Sequence, residues 1–211
     1  MKLKDILIES IPRIQDHNKI YYHGFSKEEY LKDIQLNGLK APDLTNRKGN
    51  LRPIDGKVYI TPDLRYAIIY SIGGDMLGIF IPKSILESNG LYGYLAIIDG
   101  KQLLDIQPDE DDIGQFIHDK KFYWLNDLAQ RILSVSTYKK VMNGEYEYFA
   151  RAGKVLVKKL SDDQKLSIID SGSHIAHGGN LKPKEIWKFD KSKSNELLKD
   201  GSNFFKLASK I

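Results

Sequence analysis

Apolar residues in this chain come in short runs broken by glycine, proline and asparagine. Tyr66–Ile72 is among the longest of these runs. A helix that crosses a bilayer needs about 20 apolar residues, so the sequence predicts no transmembrane segment and no membrane partner. The first residues, Met1–Ser10, mix charge into their apolar positions and lack the continuous apolar stretch and small-residue cleavage site of a secretory signal. Leu3, Ile6, Leu7, Ile11 and Ile14 fall at helical spacing, which predicts an N-terminal packing helix within residues 1–18.

With 211 residues, 41% of them hydrophobic and 28% charged, the composition is that of a folded globular domain rather than a collagen-like, coiled-coil or disordered chain. The absence of cysteine removes disulfide frameworks, zinc ribbons, iron–sulfur clusters and thiol nucleophiles, and fits a reducing cytoplasm. A net charge of +4, with lysines and acids interspersed, permits nucleic-acid binding without arguing for it. These features predict one domain over residues 1–190, followed by a polar linker and short helix over 191–211, and a monomer by default.

Local signals place the elements. Lys19–His23 is a β-branched and aromatic run stopped by Gly24. Ser26 with Glu29 three residues on predicts a capped helix ending at Asn37-Gly38. Residues 40–56 read as an irregular basic loop. Lys57–Thr61 reads as a strand, and Pro62 and Asp63 start a helix to about Ser71. Leu77–Ile81 and Leu91–Ile98 are strand candidates. A helical pattern runs from Gly114 to Tyr138 and, after Asn143-Gly144, from Tyr146 to Leu160. Ile168–Ile169, His174–His177 and Glu185–Phe189 read as closing strands.

Tyr22-His23-Gly24 after a strand, Gly56-Lys-Val-Tyr59-Ile-Thr61, and a helix holding Tyr66, Ala67 and Tyr70 follow one another in an order that resembles the ADP-ribosyltransferase superfamily. The branch is the one shared by diphtheria-type toxins and poly(ADP-ribose) polymerases, and Asn37-Gly38-Leu39 is similar to its helix end. The resemblance implies an α+β fold, with two packed antiparallel sheets around an NAD+ cleft and flanking helices. It also implies mono-ADP-ribosyl transfer from NAD+ to a protein or nucleic-acid acceptor, with release of nicotinamide and no metal. A compact bacterial or phage effector would be a natural setting. Two aromatic faces can sandwich the cationic nicotinamide ring, a role that falls to Tyr59 and Tyr70. A glycine beside His23 lets a ligand approach the backbone while the imidazole bonds a ribose hydroxyl. Ser26 and Thr61 complete the implied NAD+ contacts, and Arg47 and Arg52 sit where a loop could reach the diphosphate.

The family's late glutamate has no counterpart at the matching place. His174 or His177, in Ser171-Gly-Ser-His174-Ile-Ala-His177, occupies that neighbourhood, and His174 joins His23 and Tyr59 as the catalytic candidate. Glu145 and Glu147 are the alternatives, since a Glu-x-Glu pair would put both carboxylates on one face of a strand, though the residues after them read more as helix. Pro108-Asp-Glu-Asp-Asp112 offers hard oxygen ligands that would suit Mg2+, but consecutive acids point in different directions, so the run reads as an exposed acidic loop. Rival functions are an RNA 2′-phosphotransferase-like or other nucleic-acid-directed relative, and an inactive binding protein of the same fold. No Rossmann or Walker phosphate loop, Ser-His-Asp signature or His-Glu-x-x-His motif is present.

Overall fold

Strand, turn and helix-stop residues divide the chain into elements that pack around two cores. The computed structural model describes residues 20–40, 57–72, 90–103, 106–199 and 203–211. The expected N-terminal helix, the 40–56 loop beyond Lys40 and the Leu77–Ile81 strand lie outside them. The architecture is α+β with two antiparallel sheets. No helix among the described residues is long and apolar enough to cross a membrane. Packing separates two units, one of residues 57–59 and 106–178, the other of 20–40, 60–72, 90–103, 179–199 and 203–211.

The second unit is built on a four-stranded sheet in the order β1 (Ile20–Phe25), β3 (Tyr92–Asp99), β6 (Glu185–Asp190), β7 (Ser209–Lys210). β1 runs antiparallel to β3 with His23 opposite Ala96 and Gly24 opposite Leu95. Helix α1 (Glu29–Asn37) ends where expected, because Gly38 adopts φ 77° and its amide returns to the Ile34 carbonyl. The expected Ser26 capping box does not form: Glu28 occupies the N-cap without a side-chain bond, and α1 starts one turn's fraction later. Helix α2 (Leu64–Ile72) lies against β1 so closely that a Cβ on Gly24 would stand 1.9 Å from the Ala67 carbonyl oxygen. Gly24 is therefore required by the approach of α2. The core joins Ala67, Ile68 and Ile72 of α2 to Leu95, Phe189, Leu197 and Phe204.

Of the segment expected as a polar linker and short helix, the described residues 191–199 and 203–211 include α8 (Ser194–Lys199), α9 (Phe204–Leu207) and β7, and Leu197 and Phe204 are fully buried. Apolar side chains hidden among polar neighbours outweigh the segment's average polarity.

The first unit carries a three-stranded sheet in the order β2 (Lys57–Ile60), β5 (Ile175–Gly178), β4 (Ile106–Pro108). The stretch read as one helical pattern is three helices, α3 (Glu110–His118), α4 (Tyr123–Ile132) and α5 (Val135–Met142). Ser134 caps the last of them by accepting from the Thr137 amide, and Gly144 at φ 77° follows its end. Helix α6 (Tyr146–Leu156) presents Phe149, Ala152 and Leu156 to a core shared with Ile113, Ile117, Leu125 and Ala129. A complete capping box between Ser161 and Gln164 starts α7 (Asp162–Asp170). That helix takes in Ile168 and Ile169, which were expected as strand, because once nucleated it propagates through two residues whose apolarity suits either state.

Candidate functional site

The register of β4 on β5 sets the geometry of the first unit's polar centre. Ile106 faces His177, Gln107 faces Ala176 and Pro108 faces Ile175, so the next residue, Asp109, arrives beside His174. Its amide donates to the His174 carbonyl at 3.0 Å and to Ser173 Oγ at 3.2 Å. Here α3 begins. Asp109 is its N-cap, accepting from the Asp111 amide at 2.9 Å, and Glu110, Asp111 and Asp112 fill the first turn, where unpaired amides and the helix dipole favour carboxylates.

The acidic run is thus not the exposed loop expected from sequence. Glu110 is 2% exposed and Asp112 is 7% exposed. Two glycines bring them inside: a Cβ on Gly114 of α3 would lie 2.3 Å from Phe149 Cα, and one on Gly153 of α6 would lie 1.9 Å from the Glu110 carbonyl oxygen. Each glycine sits four residues from the partner of the other, so one helix face meets the other at backbone contact.

Successive residues of a helical turn point about 100° apart, and the three acids find different partners. Glu110 receives the Tyr59 hydroxyl at 2.7 and 2.8 Å from its two oxygens. Tyr59 stands on β2 and Glu110 follows β4, the outer strands on either side of β5, so the phenol spans the sheet to reach the carboxylate. Asp112 Oδ2 accepts from Ser173 Oγ at 3.0 Å and from the His174 amide at 2.6 Å, and lies 2.9 Å from His174 Nδ1. Burial, then the Glu110 and Asp112 charges, push the Asp111 carboxyl up to about 6, against the pull of Lys154 and His174. Burial and the carboxylates of Asp112, Asp111 and Glu110 hold Asp109 well above its ordinary range. His174 and His177 are both buried. A carboxylate oxygen from each of Asp109 and Asp112 and a ring nitrogen of His174 lie within 4.8 Å of one another, a donor set that could hold a cation.

Glu145 and Glu147 do not form a strand pair. Glu145 precedes α6 and lies 3.8 Å from Lys140 Nζ, and Glu147 is in the helix's first turn. Their claim on the third position depended on a strand, and a helix stands in its place.

The remaining expected residues belong to the second unit. Tyr22 exchanges both backbone hydrogen bonds with Thr61, at 2.8 and 3.0 Å. By the two-residue alternation of a strand, the Gly24 amide and carbonyl point to that same edge of β1, away from β3. Thr61 is buried, and its Oγ1 accepts from the Asp63 amide at 3.1 Å, which fixes the entry to α2. Tyr70 lies on α2 and is 39% exposed. His23 is part-buried on β1 and Ser26 follows the strand. The structure therefore brings Tyr59 together with Glu110 in one unit, places His174 in that same unit, and sets His23, Gly24, Ser26, Thr61 and Tyr70 in the other. Arg47 and Arg52 lie outside the described residues.

Glu110 is the residue that sequence reading passed over. The signal was present in Asp109, a good N-cap directly after a short strand, with three acids in the first turn it opens. Removing the phenol oxygen tests the pair: Tyr59→Phe leaves a buried carboxylate short of a donor and is expected to lower stability by about 1–3 kcal/mol. Urea unfolding reads this directly, and an unchanged midpoint would show that the bond contributes nothing.

No family model matches this sequence, and neither a curated protein nor a solved structure is detectably similar to it.

Proposed function

We propose that the protein is a mono-ADP-ribosyltransferase that uses NAD+ and releases nicotinamide, and that Glu110 supplies its acid. The observation that carries this reading is the Tyr59 hydroxyl bound to both oxygens of the buried Glu110 carboxylate. Tyr59 is the strand tyrosine that the motif order assigns to the nicotinamide ring. A carboxylate tied to that tyrosine is suited to stabilise the positive charge that develops at the ribose C1′ as nicotinamide leaves. Glu110 comes much earlier in the chain than the family's late glutamate, and on this reading His174 is released from that role. His23 and Gly24, for the ribose and carboxamide, and Tyr70, as the second aromatic face, keep roles that rest on motif order alone. The acceptor is a protein or a nucleic acid.

Incubating the full chain with NAD+ labelled in the adenylate, with protein and RNA mixtures as separate acceptors, tests the reading. Nicotinamide release with label on one acceptor is the expected result. NAD+ left intact and unbound would overturn it, and binding without turnover would support the inactive binding protein instead. Removing one aromatic wall should weaken NAD+: Tyr70→Ala is expected to lower affinity several-fold, from about 0.5–1.5 kcal/mol of lost ring interaction beyond lost contact area. Calorimetry with a folded variant measures it, and equal affinity would remove Tyr70 from the site.

A further inference from the structure

We infer that Asp109, Asp112 and His174 form a binding site for a small divalent transition cation. Ligands on one such cation, each at about 2.0–2.4 Å, stand no more than about 4–5 Å apart. The two carboxylate oxygens and the imidazole nitrogen already lie within 4.8 Å of one another. Asp109, which follows β4, is the N-cap of α3, Asp112 lies in the first turn of that helix, and His174 directly precedes β5, so the β4–β5 register and the start of α3 hold the donors in place before any ion arrives.

Surroundings separate this group from the acidic clusters common on protein surfaces. Asp112 and His174 are 7% and 5% exposed, and buried charges are ordinarily paired or bound to metal. A divalent ion between Asp109 and Asp112 would offset the repulsion between their two carboxylates. Ser173 Oγ donates to Asp112 Oδ2 at 3.0 Å, and such hydrogen bonds to a ligating carboxylate are the usual outer support of a metal site. One imidazole among two carboxylates favours Mn2+, Fe2+ or Zn2+ over Mg2+ and Ca2+, which prefer oxygen alone.

This inference stands apart from the NAD+ reading, because it concerns different donors and is read without turnover. The full chain, stripped with EDTA, is titrated with MnCl2 while the electron paramagnetic resonance of free Mn2+ is followed. One saturable site is expected, displaced by Zn2+ and poorly by Mg2+ or Ca2+. Asp109→Asn and His174→Gln should each weaken it by about tenfold or more. An undiminished free-ion signal with wild-type protein in excess would overturn the site, as would two folded variants that bind Mn2+ like the wild type. Should either variant fail to fold, selective paramagnetic broadening of the His174 ring resonances in the wild type decides the matter, and broadening confined to the other four histidines would count against the site. Wild-type protein that binds Mn2+ but neither binds nor cleaves NAD+ would overturn the proposed function and leave this site standing.

Discussion

Glu110→Gln is expected to slow nicotinamide release from NAD+ by about a hundredfold or more, with a smaller change in NAD+ affinity. The substitution keeps the shape of the side chain and an oxygen able to accept from the Tyr59 hydroxyl, so the packing around a residue 2% exposed is retained. What it removes is the negative charge. Losing one preorganised electrostatic contact to a transition state commonly costs about 10²–10³ in rate. An interaction made chiefly in the transition state appears in kcat rather than in binding. Single-turnover nicotinamide release beside NAD+ calorimetry separates the two. A variant that turns over like the wild type would strip Glu110 of its role, whereas parallel losses of affinity and rate would make it a binding group.

The second large effect concerns the scaffold beneath that carboxylate. Gly153→Ala places a methyl group 1.9 Å from the Glu110 carbonyl oxygen, well inside the 3.0 Å below which real Cβ contacts essentially do not occur. On an open helix face the same change would stabilise by about 1 kcal/mol through helix propensity. Here the obstacle is backbone, which cannot rotate away, so α3 and α6 must separate. A net loss of about 2 kcal/mol or more is expected from overpacking, seen as a lower unfolding midpoint. Displacing the Glu110 backbone should also slow turnover beyond what the stability loss explains. A variant as stable as the wild type would show that the two helices slide apart freely.

Much of the local order was legible along the chain because its causes are local. Asn37-Gly38 ends α1 and Asn143-Gly144 follows α5, since glycine takes the positive φ that stops a helix. The strands near His23, Tyr59 and Glu185 follow from β-branched and aromatic runs between turn residues. Where competing local preferences were balanced, the reading went astray. Ile168 and Ile169 suit strand and helix alike, and the capping box at Ser161 settled them as helix. Ser26 and Glu29 match a capping pattern, yet the strand leading into them does not turn soon enough to use it.

The site divides along the same line. Tyr59 could be singled out from residues near it in sequence, because the strand around it and the helix that follows are read from short-range signals. Its partner could not. Glu110 lies 51 positions away and meets the hydroxyl only because β2, β5 and β4 assemble in that order. Whether a run of acids faces water or the interior depends on what packs against it, and here the glycines of α3 and α6 draw it inside. His174 was conspicuous as a residue but not as the neighbour of Asp112, a pairing set by strand register across 62 positions. Backbone preferences act over a few residues and are written in them, whereas burial and charge pairing arise between segments and exist only once the chain has closed on itself.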